Sequence, residues 1–285
     1  MTTTQASSTT WADLYHQIRQ RLGSGQEARW IIEEVTGERW PPTIRVTDRT
    51  RNRVLDLTER RAAGEPLQYV LGTWGFRSLD LMVDRRALIP RPETEQVVEL
   101  ALAELDRLGP GPKNVVDLGT GSGAIALSIA SERKRTYVWA TDVSAEALDV
   151  ARANLAGMGG YAATRVALCY GSWWSALPDD LQGSVDVVVS NPPYISTAEM
   201  ASLDAAVRLW EPTEALEAGP TGLEAVDEIL NSALLWLRPW GVVVLEVGAE
   251  QGDAASERAL RSGFAEAVVH PDLAGRPRTL VARRR

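Results

Sequence analysis

Short valine-rich runs alternate with helical segments through the second half of the chain, and this alternation constrains the fold more than any other feature. The runs are "NVVDLG", "TYVWATD", "TRVALCYG", "VDVVVSN" and "GVVVLEVG", with helical stretches such as "SAEALDVARANLA" between them. Apolar strands separated by helices are typical of a parallel sheet that is covered on both faces. Two last runs, "FAEAVVHPD" and "RTLVARR", predict an antiparallel edge. We therefore expect an α/β domain with a mostly parallel, Rossmann-like sheet.

The first part of the chain has a helical pattern instead. Apolar residues at intervals of three and four predict one helix from Trp11, a second over "EARWIIEEVTG", and a third that begins at Thr47 or Asp48. Glycines follow each of them. These three helices predict a small bundle over residues 11–66. The polar, low-complexity residues 1–10 predict a disordered tail.

A different pattern connects this bundle to the sheet domain. Residues 67–90 carry glycines between short apolar runs and predict a β-hairpin linker. Pro92 is then placed in the first turn of a new helix, and Glu93 and Glu95 lie near the positive end of its dipole. The sheet domain is therefore expected to occupy residues 91–285.

The net charge and the small number of cysteine and histidine residues narrow the range of possible partners and sites. The chain has a net charge of -8 and no long basic tract, whereas a DNA-binding protein normally carries a basic patch. Its start lacks the apolar core of a signal peptide, and no apolar run approaches the ~20 residues that span a bilayer. Cys169 is the one cysteine and His16 and His270 are the only histidines. We therefore expect a cytoplasmic protein that has no metal site, no disulfide and no histidine-based triad.

A glycine-rich loop follows the first strand in "VVDLGTGSGAIAL". Gly119, Gly121 and Gly123 form a GxGxG pattern after Asp117, which differs from the GxGxxG of dinucleotide-binding proteins. The glycines allow a sharp turn and the close approach of a ligand to the backbone. A nearby acid disfavours a pyrophosphate and suits the ammonium group of S-adenosylmethionine. A purely structural turn is the weaker interpretation.

Residues at the ends of the second and third strands indicate a binding site for a nucleoside. Asp142 closes "TYVWATD", where a carboxylate can accept hydrogen bonds from both ribose hydroxyls. NAD and S-adenosylmethionine both contain this ribose, so Asp142 does not choose between them. Trp173 and Trp174 follow the third strand. We expect one of them to lie against an adenine ring and the other to pack in the core.

The stretch "SNPPYIS" leaves the fourth strand at the end where open α/β sheets bind ligands. Pro192 and Pro193 restrict the backbone, so the Pro192 carbonyl has a fixed direction. That carbonyl and the side-chain oxygen of Asn191 are suited to accept both hydrogens of one planar –NH₂ group. Tyr194 is suited to stack on such a group and to face a cation. A rigid turn would explain the prolines, but not the full order of the four residues.

These stretches together resemble a known family. "NPPY" matches the [D/N/S]-P-P-[Y/F/W] motif of S-adenosylmethionine-dependent methyltransferases that act on planar nitrogens. With "GEPLQYVLG", "LIPRPETE", "DLGTGSGAIAL" and "DLAGRPRTLVAR", nearly the whole chain is similar to the bacterial release factor glutamine methyltransferases (PrmC/HemK). The resemblance implies a class I methyltransferase domain behind a helical substrate-docking domain. It also implies N5-methylation of the glutamine in the Gly-Gly-Gln motif of peptide chain release factors, which tunes translation termination.

The resemblance also assigns residues to roles. The cofactor-binding residues are Gly119, Thr120, Gly121, Ser122, Gly123, Asp142, Trp173 and Asn191. The catalytic residues are Asn191, Pro192 and Tyr194, and the substrate-binding residues are these three and Pro193. One departure is Ser172, which stands where the family often has an acid, and it leaves the contact to the adenine amino group open.

Three alternatives stay open at the level of sequence. A glutamine methyltransferase for a ribosomal protein shares the glycine loop and "NPPY", but it is less similar at "PRPETE". A DNA adenine-N6 methyltransferase also binds a planar –NH₂, yet it needs a basic groove. A nucleoside-binding protein without catalysis would not need "NPPY".

The arginines of the third helix either dock a protein substrate or form a solvated face, and they are Arg49, Arg51, Arg53, Arg60 and Arg61. We expect a monomer.

Overall fold

The structure is a computed structural model that describes residues 9–285. These residues divide into two compact units. The first unit extends to Thr73 and includes Ala205–Trp210, and the second comprises Trp74–Asp204 and Glu211–Arg285. Each unit has a core of its own.

The first unit is helical. Its elements are α1 (Trp11–Leu22), α2 (Gly25–Thr36), α3 (Asp48–Ala62) and α4 (Leu67–Leu71). Thr10 caps α1 in a reciprocal pair of hydrogen bonds with Asp13, and Thr47 caps α3, as the sequence predicted. The core contains fully buried Leu14, Ile18, Ile31, Ile32, Val54 and Leu57. The predicted tail over residues 1–10 lies outside the described residues, apart from Thr9 and Thr10.

The predicted hairpin over residues 67–90 is wrong at its start. Residues Leu67–Leu71 form α4, because Leu67 and Val70 are buried in the helical core and Gly72 ends the turn in the left-handed conformation. The hairpin itself is shorter and consists of β1 (Thr73–Phe76) and β2 (Leu79–Met82).

The second unit is built on a seven-stranded sheet with the order β10-β11-β9-β6-β3-β4-β5. Its strands are β3 (Lys113–Leu118), β4 (Thr136–Asp142), β5 (Val166–Tyr170), β6 (Val185–Ser190), β9 (Leu237–Glu246), β10 (Glu266–Pro271) and β11 (Pro277–Arg283). β3, β4, β5, β6 and β9 are parallel, whereas β11 is antiparallel to both β9 and β10. The short strands β7 (Ile195–Ser196) and β8 (Glu217–Gly219) pair separately. The predicted parallel sheet with an antiparallel edge is confirmed.

Helices cover both faces of this sheet. They are α5 (Pro92–Arg107), α6 (Ala124–Glu132), α7 (Ala145–Met158), α8 (Gly160–Ala163), α10 (Glu224–Trp236) and α11 (Gly252–Arg261), whereas α9 (Ala205–Trp210) belongs to the first unit. Val187 and Val189 of β6 pack in the cluster with α5 and α6, and Val188 packs in the cluster with α10. The valine runs are thus apolar on both faces because both faces are covered.

The strand order creates a crevice. β4 and β5 extend from β3 in one direction, and β6 and β9 extend from it in the other. Ligands of open α/β sheets bind at such a reversal, outside the carboxyl ends of the strands.

None of the helices in the described part of the chain combines the length and the apolar character that a bilayer crossing requires.

Candidate active site

A cavity of about 800 Å³ lies at this reversal in the strand order. Five of the residues assigned to the cofactor line it, namely Gly119, Gly121, Asp142, Trp173 and Asn191. Pro193 also lines it, as do two loops that sequence reasoning missed, residues 84–88 and residues around Pro212. Thr120, Ser122 and Gly123 are not part of the lining, and both polar side chains are buried. The structure therefore divides the glycine loop into lining and supporting residues.

The loop after β3 is fastened by Asp117. Its Oδ2 accepts hydrogen bonds from Thr120 Oγ1 at 2.6 Å and from the backbone N–H of Ala126 at 3.1 Å. The side chain is fully buried, and burial raises the pKa of Asp117 to about 7. Asp117 does not line the cavity, so its contacts here are with the loop, and its help in balancing a cofactor ammonium stays a prediction.

Asp142 lies in the cavity wall at the end of β4. Its Oδ2 accepts from the backbone N–H of Gly121 at 2.8 Å, and its Oδ1 accepts from that of Ser144 at 2.9 Å. Burial raises its pKa. Each carboxylate oxygen can accept more than one hydrogen bond, so both keep capacity for a ligand hydroxyl. The next residue, Val143, lines the same cavity and is 61% exposed, which offers an apolar surface that sequence reasoning missed.

The tandem tryptophans have separate places. Trp173 lines the cavity and has a φ of 43°, a conformation that is an outlier for a bulky residue and is often retained at functional sites. Its ring lies 3.5 Å from the position that a Cβ on Gly119 would take, an ordinary van der Waals distance, so the indole packs directly against the glycine loop. Trp174 is buried, and its ring stacks on that of Trp236 with 5.7 Å between centroids.

Asn191 is held by a chain of hydrogen bonds. Its Nδ2 donates to Thr94 Oγ1 at 3.1 Å, and Thr94 Oγ1 donates to Glu246 Oε2 at 2.6 Å. Sequence reasoning missed Thr94 and Glu246. The available signals were the place of Thr94 within "PRPETE" and the carboxylate that ends the valine-rich strand β9.

Tyr194 lies behind the cavity wall rather than in it. Its hydroxyl donates to Glu246 Oε1 at 3.4 Å, and the guanidinium of Arg278 is 5.8 Å from its ring centroid. Burial raises the pKa of Tyr194 to about 12. Pro192 is buried, whereas Pro193 reaches the cavity. In this conformation the Tyr194 ring supports the loop, and its stacking on a ligand stays a prediction.

The back of the "NPPY" loop is clamped by Gln251. Its Nε2 donates to the backbone carbonyls of Tyr194 at 2.8 Å and Gly222 at 3.1 Å, while its Oε1 accepts from the N–H of Gly248. Gly222 has a φ of 77°. A Cβ at this position would lie 2.7 Å from the Tyr194 carbonyl oxygen, so only glycine lets the two backbones approach this closely.

Replacement of Gly222 tests this close approach. In Gly222→Ala we expect both a backbone penalty and a clash with the Tyr194 carbonyl, because that atom cannot rotate away. The backbone penalty is about 1–2 kcal/mol and the overpacking adds about 1–3 kcal/mol. Gly275→Ala is the matched control, since Gly275 has a similar φ of 82° with nothing within 4 Å of its Cβ position. Denaturant unfolding measures both, and equal losses would contradict the clash.

Within residues 9–285, no group of three or more histidine, cysteine, aspartate or glutamate side chains is arranged to hold a metal ion. The polar residues that line the cavity include Asp84, Arg85, Arg86, Asp142, Glu146, Asn191 and Glu214. This set suits a ligand that carries hydroxyl and amino groups beside an apolar ring.

Two solved structures have the same fold. A methyltransferase from Pyrococcus furiosus has a TM-score of 0.51 at 18% identity and covers 83% of this chain and 98% of its own. The hMettl16 catalytic domain, solved with a MAT2A 3'UTR hairpin, has a TM-score of 0.55 at 17% identity and covers 83% of this chain and 81% of its own. At these identities the likeness concerns the fold alone.

Similarity in sequence is more specific. The family model "Methyltransferase small domain" matches residues 96–219. The release factor glutamine methyltransferase of Moorella thermoacetica is 46% identical over 230 residues, which are 80% of this chain and 78% of the relative. The release factor glutamine methyltransferase of Streptomyces coelicolor is 41% identical over 81% of this chain and 80% of its own length. That of Neisseria gonorrhoeae is 38% identical over 90% of this chain and 92% of its own length. The chain therefore belongs to the family of release factor glutamine methyltransferases.

Proposed function

We propose that this protein uses S-adenosylmethionine to methylate the N5 nitrogen of the glutamine side chain in the Gly-Gly-Gln motif of peptide chain release factors. The observation that carries this proposal is that Asn191 and Pro193 line the same cavity as the glycine loop and Asp142. The residue proposed to accept the planar –NH₂ group therefore lines the same cavity as the residues proposed to bind the nucleoside. The release-factor names of relatives at 38–46% identity favour this substrate over a ribosomal protein or DNA.

The cavity residues fit S-adenosylmethionine. Asp142 has acceptor capacity for ribose hydroxyls, and Val143 and Trp173 offer apolar surface for an adenine ring. Gly119 and Gly121, without side chains, allow the rest of the molecule to approach the backbone. When bound, S-adenosylmethionine supplies a methyl group that is activated by its positively charged sulfur.

The protein's contribution to the reaction is to position and polarise the glutamine amide. An amide nitrogen is a poor nucleophile because its lone pair is delocalised into the carbonyl. Asn191 Oδ1 and the Pro192 carbonyl accept its two hydrogens and stabilise the positive charge that develops on the nitrogen. The rigid loop holds the nitrogen in line for transfer. A strong base is not needed, because an N-alkylated amide cation is acidic and loses its proton readily.

Substrate docking is the proposed role of the helical unit. Two of its five candidate arginines are committed elsewhere: Arg60 pairs with Glu65, and Arg61 pairs with Glu27 at 2.9 Å. The exposed arginines of α3 that remain for docking are Arg49, Arg51 and Arg53, the last of which also pairs with Asp56. We expect the protein to act as a cytoplasmic monomer without nucleic-acid contacts, and to tune translation termination.

A labelling experiment tests the proposed function. Purified release factor is incubated with the protein and with S-adenosylmethionine that carries a labelled methyl group, and a factor whose Gly-Gly-Gln glutamine is replaced by alanine serves as the control. We expect label in the first factor and none in the second. Label in the alanine variant would show that another residue is modified. Label in a ribosomal protein or DNA, with none in the release factor, would contradict the substrate.

A further inference from the structure

We infer that Thr94 and Glu246 form an orientation lock, which fixes the Asn191 side chain with its oxygen, rather than its nitrogen, toward the glutamine substrate. The inference rests on the proposed function and adds two positioning residues to it. Neither residue lines the cavity, so both act through Asn191.

Shape alone does not orient an asparagine amide, because its oxygen and its NH₂ group are nearly the same size. The two orientations differ in chemistry. An oxygen toward the substrate accepts a hydrogen of the glutamine –NH₂, whereas an NH₂ group there would oppose another donor. An enzyme that uses Asn191 as an acceptor therefore needs a hydrogen-bond partner that selects one orientation.

The direction of the hydrogen bonds supplies that selection. A carboxylate has no proton to donate, so Thr94 Oγ1 must donate its single proton to Glu246 Oε2, 2.6 Å away. The Thr94 oxygen then has only lone pairs left for Asn191. It can accept from Nδ2, at 3.1 Å, but it cannot donate to Oδ1. Nδ2 is therefore turned toward Thr94, and Oδ1 is left for the substrate.

Burial strengthens the lock. Glu246 and Thr94 are 0% and 4% exposed, so water does not easily replace either partner. A buried polar group left without its partner costs about 1–3 kcal/mol, which corresponds to roughly a 5- to 150-fold preference for the orientation that keeps the bond. Burial raises the pKa of Glu246, while the hydrogen bond from Thr94 and the positive charge of Arg278 oppose that change and favour the carboxylate.

The same carboxylate also fixes the other end of the "NPPY" loop. Its second oxygen, Oε1, accepts from the Tyr194 hydroxyl at 3.4 Å. Glu246 thus connects the side chains of the first and last residues of the motif. Its place at the end of β9, next to β6 in the sheet, sets it between α5 and the loop.

A pair of nearly isosteric variants tests the lock. Thr94→Val keeps the shape but removes both the donor and the acceptor, whereas Thr94→Ser keeps the hydroxyl. We expect Thr94→Val to lower kcat for methyl transfer about 10- to 100-fold, with KM for S-adenosylmethionine close to that of the unchanged protein and the melting temperature lowered by a few degrees, because Glu246 loses a buried partner. We expect Thr94→Ser to retain activity within a few-fold. An unimpaired Thr94→Val, or a Thr94→Ser that is equally impaired, would overturn the inference.

A double-variant cycle separates positioning from a general structural effect. If Thr94 acts through Asn191, then Thr94→Val has little further effect on the residual activity of Asn191→Ala. An equal fractional loss in both backgrounds would overturn the inference.

A readout without turnover tests the lock even if the proposed substrate is wrong. In nuclear magnetic resonance spectra, the Nδ2 protons of Asn191 should exchange slowly with water in the unchanged protein and in Thr94→Ser, and faster in Thr94→Val. Equal exchange in all three proteins would contradict the lock. Failure of the unchanged protein to label any release factor would instead contradict the proposed function.

Discussion

Replacement of Asn191 with alanine is expected to lower the rate of methyl transfer by about 10²–10³-fold, the usual loss when one preorganised hydrogen-bonding group is removed from a developing charge. Binding of S-adenosylmethionine should change much less, because the glycine loop and Asp142 stay in place. Single-turnover transfer to release factor measures the first quantity, and isothermal titration calorimetry measures the second. Asn191→Asp should behave similarly, because a carboxylate cannot donate to Thr94 and so loses the bond that holds it.

The control for this experiment is Asn231→Ala, which changes an exposed asparagine on α10 outside the cavity and should leave both quantities unchanged. Two results would contradict the role of Asn191. Normal turnover in Asn191→Ala would show that its oxygen is not needed. A loss of cofactor affinity as large as the loss of turnover would show that Asn191 serves mainly to bind the cofactor.

Replacement of Asp142 with alanine is expected to weaken S-adenosylmethionine binding by about 10²-fold or more. Each hydrogen bond to a charged group is worth about 1.5–3 kcal/mol, and the carboxylate has capacity for two ribose hydroxyls. The variant also loses the bonds that Asp142 accepts from the N–H groups of Gly121 and Ser144, so the cavity wall should loosen. Calorimetry with S-adenosylmethionine, and with its demethylated product, measures the loss.

Glu146→Ala is the matched control for Asp142, because Glu146 is an exposed carboxylate that also lines the cavity. Its removal should change the dissociation constant no more than about threefold, since exposed charges interact weakly through water. If Asp142 acts in binding, high cofactor concentrations should restore much of the turnover. An unchanged dissociation constant in Asp142→Ala, or an equal loss in Glu146→Ala, would contradict the assignment.

The sheet could be predicted from local sequence because its strands are apolar on both faces. Val187, Val188 and Val189 are consecutive and all buried, which only a doubly covered strand permits. The first residues of α3 and α5, near Thr47 and Pro92, could also be predicted from the sequence. Capping and the position of a proline depend on neighbouring residues alone. Helix α4 was missed because its stability comes from burial in the core of the helical unit, and a five-residue segment has little periodicity of its own.

The candidate site was predictable only in part, for the same reason. Asp142 and Asn191 could be placed because each follows a recognisable strand. Thr94 and Glu246 are separated by 152 positions, and no local pattern shows that an α5 hydroxyl meets the end of β9. The left-handed backbone of Trp173 was likewise hidden, since bulky residues rarely adopt it and only the finished fold enforces it.

The two hydrogen bonds accepted by Glu246 have an evolutionary consequence. Because one carboxylate serves both Thr94 and Tyr194, and Thr94 in turn serves Asn191, these four positions are not independent characters. We expect a change at one of them to alter the effect of a change at the others, which is epistasis arising from linked hydrogen bonds. We therefore expect these four positions to change together rather than singly, because the first of any two compensating substitutions would weaken the enzyme.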